Sequence, residues 1–300
     1  MAHITDYLKP GELTSIKYLQ VLAKQVVEGF ITGIHRSPQK GVSIEFAQHR
    51  EYVQGDEIRR VDWKVYAKSD RYYVREYEEE TNLRATLLLD SSGSMGYGGE
   101  GRINKHTYAV RLAAALAYLL LQQRDSVGMI SFDTKLRQYI PPRSNDGHLR
   151  RMLEAMVASA PGNETSLGQV FHSLAPRMGR RGLVMILSDG FGDTPELLKA
   201  LAHFRSAMHE VIFFHILDPD EVEFPFRDWT RFQSLENGSQ FRKVDPLSYR
   251  AAYLENFRRF EEELRLGCRK NRVELVPMRT DEPFDKALAG YMNRRNRVAA

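Results

Sequence analysis

A chain of 300 residues, 42% hydrophobic and 27% charged, has the composition of a soluble globular protein with room for one large core and a smaller companion. Its formal charge of +4, from 43 basic and 39 acidic residues, comes without a dense basic run interleaved with aromatics, so it gives no argument for nucleic-acid binding. A single cysteine, Cys268, excludes an intramolecular disulfide and suits a reducing compartment. No stretch reaches the roughly 18 apolar residues of a membrane span: the longest candidate, 109–121, is broken by Arg111. Residues 1–7 show no signal-peptide pattern, and a cytoplasmic protein without membrane insertion is expected.

In chain order, residues 13–28 have helical periodicity, with Leu13, Ile16, Leu19, Leu22, Val26 and Val27 on one face. Residues 31–82 mix glycine, charge and short extended runs at 42–46 and 72–77, which predicts a small β-rich extension. Residues 1–84 are therefore read as an N-terminal helix plus extension, and 85–300 as the main domain. There, short apolar runs at 85–89, 127–132, 183–187, 211–217 and 273–277 read as strands of a parallel sheet covered on both faces. A short strand at 137–140 is placed to pair antiparallel with its predecessor across Asp133-Thr134-Lys135. Helices are predicted near 104–124, 147–159, 166–178, 195–208, 247–270 and 283–296. The first of them is apolar almost all round and should be buried. Residues 219–246, with the turn signal Glu236-Asn237-Gly238-Ser239, read as an inserted hairpin. The alternation predicts an α/β fold: a doubly wound, mostly parallel sheet with helices on both faces.

Chemistry gathers at the expected carboxyl ends of the strands, where open α/β sheets bind ligands. The run Leu87-Leu88-Leu89 ends in Asp90, followed by Ser92 and Ser94. One carboxylate and two hydroxyls in one loop are oxygen ligands for a hard cation such as Mg²⁺. Two neutral hydroxyls leave much of the ion's charge uncancelled, which favours adhesion to another molecule's carboxylate over catalysis. A second loop carries Thr165, just before a helix, and a third carries Asp189, directly after a strand. Asp90, Ser92, Ser94, Thr165 and Asp189 are the predicted ligand set. Thr165 also suits a plain helix N-cap, and Asp189-Gly190 a plain turn.

This trio of loops resembles the metal-ion-dependent adhesion site of von Willebrand factor A domains. Upstream, Gly33-Ile34-His35-Arg36-Ser37, Glu45-Phe46, Arg50-Glu51-Tyr52, Gly55-Asp56, Arg59-Arg60-Val61-Asp62-Trp63 and the stretch 74–80 resemble the family called domain of unknown function fifty-eight. That resemblance runs from about residue 30 to Asp189. It implies a bacterial or archaeal protein working beside a MoxR-type AAA+ ATPase in chaperone-like assembly or activation of a client. The expected ion is Mg²⁺ or Mn²⁺. Glu164, which precedes Thr165, departs from the family's small residue there; it is expected to face solvent, the alternatives being that it supplements the metal shell or shifts preference toward Ca²⁺. No Walker-type phosphate loop occurs, so ATP hydrolysis would fall to the partner. Arg59, Arg60, Asp62 and Trp63 either tie the extension together or form a docking surface for the ATPase.

Two enzyme-like patterns overlap the first loop. Gly96-Tyr97-Gly98-Gly99-Glu100-Gly101 satisfies G-x-G-x-x-G, yet its first glycine comes six residues after Asp90, too late for the tight turn of a dinucleotide site; the glycines read as a mobile loop. Ser94, Asp189 and His215 follow the Ser-Asp-His order of α/β-hydrolases, but Ser92 stands where the nucleophile elbow needs glycine. A metal-independent scaffold of the same fold is the other alternative to a non-catalytic, metal-dependent adaptor.

Overall fold

In a computed structural model, the residues described are 44–53, 61–63, 65–66, 71–79, 83–145, 147–162, 167–174, 178, 181–235 and 241–282. The helices expected at 13–28 and 283–296 lie outside them, as do Arg59, Arg60, Thr165 and the turn at 236–239. Residues 36–83 separate as one compact unit, and the chain from Arg84 onward belongs to the other.

Within the smaller unit, β1 (Ile44–Glu51) and β2 (Tyr73–Glu79) pair antiparallel, from Ile44 opposite Glu79 to Glu51 opposite Tyr73. Both strands interleave apolar with polar and charged residues. The link between them is pinned on β2: Val61 bridges Val74, and the Asp62 amide donates to the Tyr73 carbonyl at 2.8 Å. Tyr66 stacks on Tyr72 with centroids 4.5 Å apart.

The larger unit holds a six-stranded sheet in the order β10-β7-β6-β3-β4-β5. Its strands are β3 (Arg84–Asp90), β4 (Ser126–Phe132), β5 (Leu136–Arg143), β6 (Leu183–Ser188), β7 (Glu210–Leu217) and β10 (Glu274–Arg279). Only β4 and β5 pair antiparallel. From β3 the chain steps outward through β4 and β5, then returns to the far side of β3 with β6 and continues to β7 and β10. The direction of winding reverses between β3 and β6, so the loops leaving those two strands diverge and open a crevice at their carboxyl ends.

The helices are α1 (Lys105–Gln122), α2 (His148–Ala158), α3 (Leu167–Leu174), α4 (Thr194–Ser206), α5 (Pro219–Glu223) and α6 (Pro246–Lys270). One face of the sheet, with Leu88, Ile130, Val184, Ile186 and Phe213, packs with Val170 and Phe171 of α3, Leu201 and Phe204 of α4, and Leu264 of α6. Phe171 meets Phe132 and Phe204 edge-on, at 5.2 and 5.5 Å between centroids. On the opposite face, Leu87, Leu89, Met129, Leu187 and Phe214 are equally buried, and α1 touches β3, β4, β6 and β7. Successive residues of β3 thus point into two separate cores, which is why the run 87–89 is apolar without a break. The resulting mixed α/β architecture, with a mostly parallel sheet, is the one expected.

The expected hairpin is present as β8 (Thr230–Gln233) and β9 (Phe241–Val244), paired antiparallel. It is preceded by α5, a one-turn helix missing from the sequence reading. No helix among the described residues is long and apolar enough to cross a membrane. Truncating Phe204 to alanine removes the ring shared by α3, α4 and the sheet. It should lower unfolding free energy by about 3–5 kcal/mol, read as a drop in urea midpoint with an unchanged m value.

Candidate functional site

Asp90 is the last residue of β3, and Asp189 follows the last residue of β6, Ser188. The reversal of winding therefore brings both carboxylates to one crevice. Neither is exposed at all. Asp90 Oδ1 accepts from the Ser92 amide at 2.9 Å, and Oδ2 accepts from Ser188 Oγ at 2.6 Å. Ser188 Oγ in turn accepts from the Gly190 amide at 3.0 Å. Gly190 sits at φ +68°, a left-handed turn that glycine enters without strain, and this folds the loop back over β6. Among the described residues no cationic side chain hydrogen-bonds to Asp90. Burial first, and the neighbouring Asp189 charge second, push its carboxyl up to about 7, against the pull of the Ser188 and Ser92 hydrogen bonds.

Ser92 Oγ and Ser94 Oγ lie 3.1 Å apart in a loop that makes a short 3₁₀ turn at Gly93–Gly96. Ligands at the 2.0–2.1 Å of octahedral Mg²⁺ stand about 3 Å apart along an edge, so the two hydroxyls are spaced to be neighbours on one such ion. Among the described residues no group of three or more His, Cys, Asp or Glu forms a metal cluster. The donor set here is instead carboxylate plus hydroxyl, the hard oxygen chemistry that Mg²⁺ and Mn²⁺ favour. Thr165 lies outside the described residues. Arg137 donates to the carbonyls of Ala160 and Gly162 at 2.9 and 3.1 Å and is held by Asp133 at 2.7 Å. The Gly162 amide donates to the Ser91 carbonyl at 3.0 Å, tying that loop to the first one.

Asp189 differs from Asp90 in having a cation. Lys105 Nζ donates to Asp189 Oδ2 at 2.7 Å and to Glu221 Oε1 at 2.5 Å, and lies 4.8 Å from the centre of the Phe191 ring. The other Asp189 oxygen accepts from the Phe191 amide at 3.1 Å. Lys105 is wholly buried; burial alone would pull its ammonium down, but Asp189 and Glu221 outweigh it and hold the value above the ordinary lysine range. Burial lifts the Glu221 carboxyl above the usual glutamate range, and the Lys105 ammonium is the main force keeping it ionised.

The glycine-rich loop after Ser94 is fastened rather than mobile. Tyr97 Oη donates to Asp220, the Gly99 amide donates to Asp218 at 3.2 Å, and Arg102 bridges Asp218 and Asp220 at 3.0 and 2.6 Å. Burial acts to raise the Asp218 carboxyl, but donors from the Asp220 amide, Arg102, Gly99 and Thr280 outweigh it and leave it below the usual range. With the Gly99 amide spent on Asp218, the loop is closed on its own chain and presents no dinucleotide fingerprint. The hydrolase order likewise does not become a triad. His215 Nε2 donates to the main-chain carbonyl of Asp189 at 2.8 Å, and Ser94 Oγ meets Ser92 Oγ. Burial holds His215 down at about 4, so it is neutral.

Of the upstream residues, Asp62 is buried and accepts from the Val65 amide, a local structural role, while Trp63 is 54% exposed and meets Tyr66 edge-on. Sequence reasoning missed Lys105, Ser188, Asp218 and Glu221. Two signals were there to be read: a lysine opening a helix apolar on every side needs a buried partner, and Asp218-Pro219-Asp220-Glu221 after a strand is a capping box.

A proton bound by folded Asp90 up to about pH 7 is released by the unfolded chain near pH 4, so stability must fall as pH rises through that window. With divalent ions chelated, the melting temperature should drop between pH 4 and 7. Asp90→Asn should flatten that drop and raise stability above pH 7 by on the order of 3–4 kcal/mol. An unchanged pH profile in the variant would contradict the strained carboxylate.

A sequence model of the family described as protein of unknown function DUF58 matches residues 48–263. Uncharacterized proteins of Mycobacterium bovis and Mycobacterium tuberculosis are 28% identical over 306 aligned residues, which cover 98% of this chain and 93% of theirs. Among solved structures, the conserved hypothetical protein BatB from Bacteroides thetaiotaomicron aligns at 14% identity and a TM-score of 0.40, covering 72% of this chain and 99% of that one. An aerotolerance-related membrane protein from Bacteroides fragilis aligns at 18% identity and a TM-score of 0.42, covering 71% and 98%.

Proposed function

The chain belongs to the DUF58 family, and from that premise we propose that it is a non-catalytic adaptor whose von Willebrand factor A-like domain binds a divalent cation and engages an acidic residue of a partner protein. The observation that carries this reading is Asp90: a fully buried carboxylate with no cationic hydrogen-bond partner among the described residues, beside two hydroxyls spaced as neighbours on an octahedral ion. Asp90 supplies the anchoring charge, Ser92 and Ser94 supply neutral oxygens, and Thr165 is the candidate from the adjoining loop. Asp189, with one oxygen on Lys105 and the other on the Phe191 amide, suits a role through water. An ion held by one unpaired carboxylate and hydroxyls retains positive charge, and a partner's carboxylate is the natural ligand to complete its shell.

The partner class follows from the family resemblance: a MoxR-type AAA+ ATPase and a client it assembles or activates, with ATP hydrolysed by the ATPase. Cys268 is buried and unpaired, in keeping with a cytoplasmic setting. A metal-independent scaffold is the competing reading, and it leaves the raised Asp90 carboxyl without a use.

Affinity capture of tagged wild type and Asp90→Ala from cell extract, each with Mg²⁺ or with EDTA, separates the two readings. An AAA+ ATPase retained only by wild type in Mg²⁺ is the expected result, whereas the same proteins in all four samples would overturn the metal-dependent mechanism. Mg²⁺ at millimolar concentration should also raise the melting temperature of wild type and leave that of Asp90→Asn unmoved.

A further inference from the structure

Resting on the divalent-cation reading above, we infer that Lys105 is a built-in competitor for the ion, which sets the site's affinity by neutralising Asp189, and that Glu221 controls how strongly it does so. The side chain is placed for this by three constraints. The Asn104 side chain caps α1 by accepting from the Thr107 amide at 2.7 Å, which fixes Lys105 at the start of the helix. The Lys105 amide donates to the Tyr97 carbonyl at 2.9 Å, which anchors it to the loop leaving the Ser92–Ser94 turn. Its ammonium then reaches Asp189 at 2.7 Å with no water-exposed surface, so the pair is poorly screened.

An ammonium at that distance does for Asp189 what a divalent ion would do, and the two compete for one carboxylate. Glu221 pulls the other way: it holds the same ammonium from the α5 side and shares its charge. Removing the lysine frees Asp189 for the ion, whereas neutralising Glu221 leaves the ammonium wholly to Asp189. The two substitutions must therefore move cation affinity in opposite directions. A lysine that only fastened α5 to the sheet would give the same sign for both, since each breaks the fastening.

The test is calorimetric titration of the full chain with Mg²⁺ and with Mn²⁺ in wild type, Lys105→Met, Glu221→Gln, the double variant Lys105→Met/Glu221→Gln, and Asp90→Ala. A close charge is worth about 1–3 log units on a neighbouring carboxylate, so Lys105→Met should bind at least about tenfold more tightly and Glu221→Gln correspondingly more weakly. Glutamine keeps an oxygen for the Asp218 amide that Glu221 now accepts, so this variant retains its capping contact. The double variant removes one of the two carboxylates that Lys105→Met strands, and it should keep the tighter binding if the single variant fails to fold. Wild-type binding abolished in Asp90→Ala, together with weakened or unchanged binding in both Lys105 variants or tighter binding in Glu221→Gln, would overturn the inference and leave the cation site standing. Heat from neither ion in any protein would overturn both.

Discussion

Burying a carboxylate in a protein interior is costly unless a cation or several donors accompany it, and the crevice between β3 and β6 buries two. Asp189 is met by the Lys105 ammonium, whereas among the described residues Asp90 is met by neutral donors from Ser92 and Ser188. The arrangement around them follows from that inequality. The strand order puts both carboxylates at the point where winding reverses, the one place in a doubly wound sheet where loops part instead of packing on each other. Hydrophobic packing on both faces holds β3 beside β6 in parallel register, which keeps the two carboxylates at one end of the sheet.

The surrounding contacts hold the described segments around the two carboxylates. Arg137 and Asp133 hold the approach to the second loop, and Ser188, Gly190 and the Phe191 amide hold the third. Asp218 with Arg102 closes the glycine-rich segment. Each is a hydrogen-bonded or ion-paired clamp, and on the proposed reading such clamps lower the ordering cost of binding at Asp90, Ser92 and Ser94. Lys105 links the third loop to α5 electrostatically, because Asp189 and Glu221 share its ammonium, as Arg102 links the glycine-rich loop to Asp218 and Asp220. Binding chemistry at β3 and β6 is thereby connected to α5 and the end of β7.

Much of the frame was legible from hydrophobic pattern. The continuous apolar runs marked five parallel strands because both faces of this sheet are covered, and each predicted strand lies within about two residues of the observed one. The hairpin at β8 and β9 was announced by its turn signal, and the antiparallel β5 by the short Asp133-Thr134-Lys135 connection. The short α5 escaped because a single turn has no periodicity to read; only its Asp218–Glu221 capping pattern marks it. The carboxylates and hydroxyls of the site could be read from spacing after strand ends. The buried Lys105 could not be, since its partners come from β6 and α5, more than 80 residues downstream, and such pairings are set by topology rather than by local sequence. In the smaller unit Trp63 is exposed, whereas Asp62 is buried and accepts from the Val65 amide.

The central claim is that Asp90, Ser92 and Ser94 form a cation site anchored by the Asp90 carboxylate. The most direct measurement is a crystal structure grown or soaked in Mn²⁺, read by anomalous scattering at the manganese edge. The account predicts one strong peak bonded to the hydroxyls of Ser92 and Ser94 beside Asp90, with Asp189 still on Lys105. Crystals soaked at a saturating concentration that show no peak there, or a peak elsewhere with Asp90 hydrogen-bonded as before, would contradict it.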